Sequence, residues 1–320
     1  MSHSKTSMGR CLLASIFCAG FACAGLAGPP SAPSQPETVT VIANARGPAI
    51  WHATRGGADV AILGIVQPLP DNFVWNSKPL ASILGGAHLV LLPPQIRMGT
   101  FSGAWFYLTK SYLLHPPDDK SLWDILDPGV VVQLSRICEF LHEPKDRYSD
   151  NSPVYAAMRL GSDFRHVEYL TTHEPEDSIA ALARARHLIV RRVATYDLVP
   201  SGEELLKLPP AVTGSCIEAE IRDIDFQSRH AASAANAWAI GDVPGMMANW
   251  APSNYYQCLF ARSSHATAID ARSIDDTVAA IDDALAESGH AVAVVEIGTL
   301  LRKDGVLDRL KTAGVSVTGP

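Results

Sequence analysis

"AIWHATRGGADVAILGIVQPLP", residues 49–70, decides the fold. Two β-rich runs flank Arg55-Gly56-Gly57, the composition of a hairpin turn. Its last part, "ILGIVQPLP" (62–70), reads as the point where a strand hands the chain to a functional loop. Gln67 then stands either in a catalytic position or where a catalytic residue used to be.

Working outward, a helix is expected from Asn76 to Leu84, stopped by Gly85-Gly86. "HLVLLPP" (88–94) follows as a buried strand that its prolines terminate. Strand, helix, strand in that order implies a crossover and some parallel pairing. Upstream, "TVTVIA" (38–43) alternates like a strand. The far end repeats the pattern. Ser273 to Asp276 fits a capping box, Val278, Ile281 and Leu285 mark a buried helix face, and Gly289 ends it. "AVAVVEI" (291–297) is a buried strand, a helix carries Val306, Leu307 and Leu310 inward to Gly314, and "VSVT" closes the chain. The expectation is an α/β fold. A mixed central sheet comes from strand-helix-strand units at the two chain ends, with a helical cap inserted at roughly 115–260. Within that insertion, Ile179, Leu182, Ala183, Ile189 and Val190 suggest one amphipathic surface helix.

The chain has 320 residues, is 47% hydrophobic and 18% charged, and carries a net charge of −7. That composition suits a globular body rather than a disordered one. It argues against a nucleic-acid partner, which needs a concentrated basic face; Arg191-Arg192 is an isolated basic pair. At the N-terminus, Lys5 and Arg10 precede the apolar stretch Cys11 to Gly28, and Gly25-Leu26-Ala27 supplies small residues. This is the pattern of a secretory signal cut near Ala27, giving a periplasmic or secreted chain with no membrane span after cleavage. An uncleaved anchor is the alternative, although about 18 glycine-containing residues are marginal for crossing a bilayer. The residues before Cys23 lack the leucine of a lipobox. Residues 28–37 read as a Pro/Ser-rich linker, and 38–320 as a single domain.

Beyond the signal lie Cys138, Cys216 and Cys258. An oxidising compartment allows a disulfide, and an odd count leaves a thiol over. Cys216 and Cys258 flank one helical segment and form the expected pair, while Cys138 sits on an expected buried helix face. Three free buried thiols is the competing reading.

The usual signatures of chemistry are missing. GxSxG is absent, "GTFSG" (99–103) placing its serine one position late, and no phosphate-binding GxGxxG or GxxxxGK[ST] occurs. His166, Glu168, His173 and Glu174 are possible ligands, but "TTHEP" breaks the helix that would align them. His265 beside Ser263 and Ser264 has the residue types of a base and nucleophile, although neighbours on one helix rarely face each other. Trp105, Phe106 and Tyr107, and again Tyr255 and Tyr256, could line a sugar or peptide groove or simply pack in the core.

Residues 49–94 resemble the opening module of TraB/PrgY/GumN proteins, in which a β-hairpin leads to a Gly-x-x-His motif, a proline loop and a helix. Residues 284–317, "ALAESGHAVAVVEIGTLLRKDGVLDRLKTAGVSV", resemble the closing module, with a second Gly-x-x-His before a helix and strand. "SLWDILDP" and "ANAWAIGDV" between them look similar too. The resemblance implies metal chemistry of the kind known from the related Tiki-type metalloproteases. There, two histidines and a glutamate hold a divalent ion that acidifies a water. In this chain the first His position falls on Gln67, the Glu position near Pro93, and the second His position near Thr299. The resemblance therefore points to a branch lacking the metal ligands. It implies no cofactor and a surviving pocket lined by Gly64, Gln67, Pro68, Pro93 and Thr299. The expected role is binding or accessory work in the cell envelope, with an unidentified small molecule, glycan or peptide as ligand. The alternative is a divergent hydrolase using Glu296 as base or Thr299 as nucleophile.

Overall fold

The computed structural model describes residues 47–320. The expected signal and linker and the strand expected at "TVTVIA" lie outside them. In chain order the elements are β1 (Ile50–Arg55), β2 (Ala58–Ile65), β3 (Leu69–Pro70), α1 (Lys78–Leu84), β4 (Ala87–Leu92), β5 (Gln95–Arg97) and α2 (Thr100–Lys110). Then come α3 (Leu122–Ile125), α4 (Pro128–Phe140), α5 (Pro153–Val167), β6 (Leu170–Thr171), α6 (Glu176–Arg184), β7 (Ile189–Arg192) and β8 (Thr195–Asp197). The rest are α7 (Val199–Leu206), α8 (Pro210–Ala239), α9 (Val243–Ala248), α10 (Asn254–Phe260), α11 (Ser264–Ala286), β9 (His290–Glu296), α12 (Ile297–Leu301), α13 (Val306–Thr312) and β10 (Ser316–Thr318).

A six-stranded mixed sheet, ordered β10-β1-β2-β9-β4-β7, organises this α/β fold. The β1–β2 hairpin turns on Gly56 and Gly57, both at positive φ, as a two-residue hairpin loop requires. β2, β9, β4 and β7 run parallel, with Ile65 opposite Glu296 and Leu92 opposite Arg192. β2, β9 and most of β4 are buried on both faces, which explains why their sequences are nearly continuous Val, Ile, Leu and Ala. The two chain ends meet in one sheet, β10 pairing with β1.

Three expectations need correction. Ile189 and Val190 belong to no helix: α6 ends at Arg184, the chain reverses through His187 at φ +59°, and the pair enters β7 at the sheet edge. The inserted region thus supplies an edge strand of the six-stranded sheet besides its helices. The Ser273–Asp276 box is also no helix start. α11 begins one residue after Ser263, whose hydroxyl accepts the Ala266 N–H at 3.0 Å, while Ser273 donates mid-helix to the Asp270 carbonyl. A polar spacing that can cap a helix is equally compatible with its exposed interior. Finally, β9 leads straight into the short helix α12, which carries Thr299.

Two apolar clusters form the core. One joins the sheet to α1, α6, α11, α12 and α13. The other lies among the cap helices around Leu122, Leu134, Tyr148, Leu160, Phe164 and Ile217. α8, about 45 Å long at 1.5 Å per residue, serves both. Its first half contributes Cys216, Ile217 and Ile224 to the cap, and its second half Ala234, Ala235 and Trp238 to the sheet. A disulfide joins Cys216 of α8 to Cys258 of α10, and Cys138 is free and buried.

Candidate functional site

In parallel α/β sheets, ligands sit beyond the carboxyl ends of the strands, where the backbone departs to opposite sides and leaves a crevice. Here those ends bring together Gln67 after β2, Glu296 at the end of β9, Pro93 after β4 and Arg192 at the end of β7. Thr299 follows one turn beyond Glu296. The five expected pocket residues do not share one environment. Gly64 and Pro93 are buried, whereas Gln67, Pro68 and Thr299 are half-buried.

Gly64 is part of the wall. A Cβ there would meet Ile297 Cδ1 at 2.7 Å and Trp51 at 3.0 Å, and its carbonyl accepts the Trp238 indole N–H at 2.7 Å. This tight packing anchors the end of β2 to α8 and α12. The chain then passes through Gln67 and a cis peptide bond to Pro68, and β3 pairs antiparallel with β6 of the cap. Gly298 lets the Trp250 ring lie against α12, since a Cβ would come within 2.5 Å of it. Both contacts restrict where Gln67 and Thr299 stand.

Glu296 is the ionisable group at the centre of this edge. It is exposed to solvent, yet enclosure by the surrounding protein pushes its carboxyl upward, and Glu176 and Asp270 add repulsion in the same direction. Glu296 thus stands in reach of solvent at the strand-end crevice. Glu176 is itself paired with Arg192, which also donates to the Pro93 carbonyl at 2.7 Å; Asp270 pairs with Arg302 at 2.9 Å. Arg192 therefore ties the ends of β4 and β7 to α6.

The cap supplies the facing wall. Tyr256 on α10 is 56% exposed, and its phenol is nevertheless pushed upward by its surroundings. Arg165, Glu220, Glu296 and Asp223 all influence it, which links the strand end to the cap. Asp223 sets the start of α10: its carboxylate accepts from Ser253 Oγ at 2.6 Å, Asn254 N at 2.8 Å and Tyr255 N at 3.0 Å. Glu220, one turn earlier on α8, is only 7% exposed. Burial, then repulsion from Asp223, raises its carboxyl to about 8 against a partial counter-effect from Arg165. It is a neutral acid at pH 7.

Other candidates separate. α5 ends at Val167 and Tyr169 turns the chain at φ +51°, leaving His166 and His173 on different segments. Among the described residues, no three His, Cys, Asp or Glu side chains are grouped to hold a metal. Ser263 and Ser264 donate not to His265 but to Glu204, at 2.6 and 3.0 Å, and His265 Nδ1 lies 3.0 Å from the same carboxylate. Glu204, held down at about 2 by these donors, acts as the anion at the start of α11. Phe106 and Tyr255 are buried, whereas Trp105 and Tyr107 face outward. An open groove of about 450 Å³ between the Phe73–Ser77 loop and α6 carries no ionisable side chain.

Glu220 was legible as an anomaly. In "CIEAEIRDIDF" a glutamate falls on the helical stripe of Cys216, Ile217 and Ile224, where an apolar residue belongs. Arg165 carries no such mark.

The model of the TraB/PrgY/gumN family matches residues 49–319. The chain belongs to that family. No curated protein matches it, and no solved structure does. The match covers both modules and the cap between them, so the strand-end position of Gln67, Pro93 and Thr299 falls within the family's own fold. The metal implied by the family does not suit these residues. Gln67 offers only a weak amide oxygen, Pro93 is buried and has no side-chain donor, and Thr299 offers a neutral hydroxyl. No helix among the described residues is long and apolar enough to cross a membrane.

Proposed function

We propose that this family member is an exported, metal-independent binding or accessory protein of the cell envelope, receiving a small organic molecule, glycan or peptide in the strand-end hollow. One observation carries the reading. The carboxyl ends of parallel strands bring Gln67 and Pro93 to the sheet edge where Glu296 and Thr299 also lie, and neither Gln67, Pro93 nor Thr299 offers the imidazole or carboxylate that a divalent ion prefers. Export is supported by the signal pattern at Lys5 to Ala27 and agrees with the Cys216–Cys258 disulfide. Elemental analysis of the purified chain is expected to find zinc, manganese and cobalt well below one equivalent, and EDTA is expected to leave its melting temperature unchanged. One equivalent of any of these metals, lost together with stability on chelation, would overturn the proposal.

The raised carboxyl of Glu296 favours a second reading. A carboxyl pushed upward at a strand end is a stronger base once ionised and suits a general base in a divergent hydrolase, with Thr299 one turn away as nucleophile. Under that reading, Glu296→Gln reduces hydrolysis of a peptide and ester panel at least 100-fold while binding persists. No turnover by the parent protein on the panel rejects it.

A further inference from the structure

The cap wall contains a pair of groups that nothing else in the fold uses. Gly161 and Arg165 lie one turn apart on α5, facing α8, and the missing side chain at Gly161 admits Glu220. A Cβ placed on Gly161 would sit 2.0 Å from Glu220 Oε1 and 3.3 Å from an Arg165 guanidinium nitrogen. The two atoms are thus separated by no more than the sum of those distances, yet they do not close to an ion pair. Among the described residues, neither Glu220 nor Arg165 has a hydrogen-bond or ion-pair partner. Among the described residues the one sealed side-chain atom without a partner is Ser152 Oγ, so the Glu220 oxygens, on a residue only 7% exposed, are not fully sealed.

A carboxyl on a buried residue beside an unpaired, half-buried guanidinium is short of hydrogen-bond partners. The gap between them is matched by one oxygen. Two hydrogen bonds of about 2.8 Å each, end to end, span it. A ligand hydroxyl can accept from Arg165 and exchange a hydrogen bond with Glu220. A phosphate or carboxylate would pair with Arg165 but come under the Asp223 carboxylate, which already disfavours a negative charge on Glu220. An ammonium would meet the arginine. Within electrostatic reach of both groups, on α10, is the ring of Tyr256, exposed and stacked near Phe260 at 6.2 Å, a flat apolar surface of the kind that packs on a pyranose face.

We propose that Arg165 and Glu220, opened to each other by Gly161, are a subsite for a ligand hydroxyl, and that with Tyr256 they hold a glycosyl unit of the ligand. This rests on the reading of the strand-end hollow as a binding site and narrows its ligand to carbohydrate.

The test is calorimetric titration of the full chain with neutral cello-, malto- and chito-oligosaccharides, and in parallel with short peptides. At least one oligosaccharide series is expected to bind. Arg165→Met should weaken it at least tenfold, Tyr256→Ala similarly, and Glu220→Gln, which keeps a donor and an acceptor, by less than threefold. Thermal melts confirm that each variant is folded. Peptide binding that ignores Arg165→Met overturns the glycosyl assignment while leaving the binding-protein reading intact. No binding by any oligosaccharide at millimolar concentration, or binding indifferent to Arg165→Met and Tyr256→Ala, also overturns it, the gap then holding water only. One equivalent of metal in the same preparation removes the underlying reading instead.

Discussion

Replacing Cys216 and Cys258 together by alanine is expected to lower the unfolding free energy by about 4 kcal/mol. The bond closes a loop with a sequence separation of 42, and chain-entropy bookkeeping for such a loop gives that magnitude, with native packing adding to or subtracting from it. The location matters as much as the size. Cys216 is fully buried in the cap cluster, and Cys258 belongs to α10, whose start is set by Asp223 and whose next residues include Tyr256. Cutting the bond frees the wall that faces Glu296. Urea denaturation of parent and double variant measures the change as a shift in midpoint. Reductant should reproduce the loss in the parent and do nothing to the variant. The remaining thiol offers no easy substitute, because burial pushes Cys138 up to about 11, keeping it protonated near neutrality. A loss below about 1 kcal/mol would mean that the cap holds together without the bond.

The second large effect is a decline in stability with rising pH that begins on the acid side of neutrality. Glu220 titrates near 8 in the folded chain, against an ordinary 4.5. Between these values the unfolded chain has already released the proton that the folded chain retains, so each added pH unit costs stability. Below 4.5 both states are protonated and the effect vanishes; above 8 both are ionised and the loss is complete. The full difference is on the order of 5 kcal/mol. Asp163 and Asp197 behave oppositely. Arg147 and Tyr148 hydrogen-bond Asp163, and Ser102 with backbone N–H groups binds Asp197, holding both carboxyls low; their contribution is lost only as pH falls below the ordinary carboxylate range. Stability should therefore peak near about pH 5 rather than 7. Glu220→Gln, neutral at every pH, should match the parent at pH 4.5 and exceed it progressively toward pH 8. Equal slopes for parent and variant across that range would show that Glu220 ionises freely in the fold.

Much of the fold was readable from local chemistry. Gly56-Gly57 between β-rich runs, the unbroken apolar composition of β2, β4 and β9, and Gly289 before a strand all express constraints acting over a few residues. Where the reading failed, two local patterns were degenerate. Ile189-Val190 follows α6 at a helical spacing, and only a positive-φ turn at His187 plus an open sheet edge beside β4 makes it a strand. Ser273 to Asp276 has the polar spacing of a helix start, but Ser263 begins α11 first because Glu204, from a distant helix, satisfies the N-terminal N–H groups there.

The candidate site divides in the same way. Gln67, Thr299 and Glu296 could be singled out because each sits at a strand end or in a motif that the chain carries in order. The sequence by itself determined the hairpin, the strand-helix-strand units at both ends and the absence of the two imidazoles and the carboxylate from the three motif positions. Only the tertiary structure decided that Arg165 and Glu220 meet, because Gly161 on one helix makes room for a carboxyl 59 positions later on another. Backbone preferences act between neighbours in the chain, whereas burial and charge coupling act between neighbours in space. That is why Glu220, an ordinary acid in the unfolded chain, becomes a buried acid with its titration pushed upward once α5, α8 and α10 have packed.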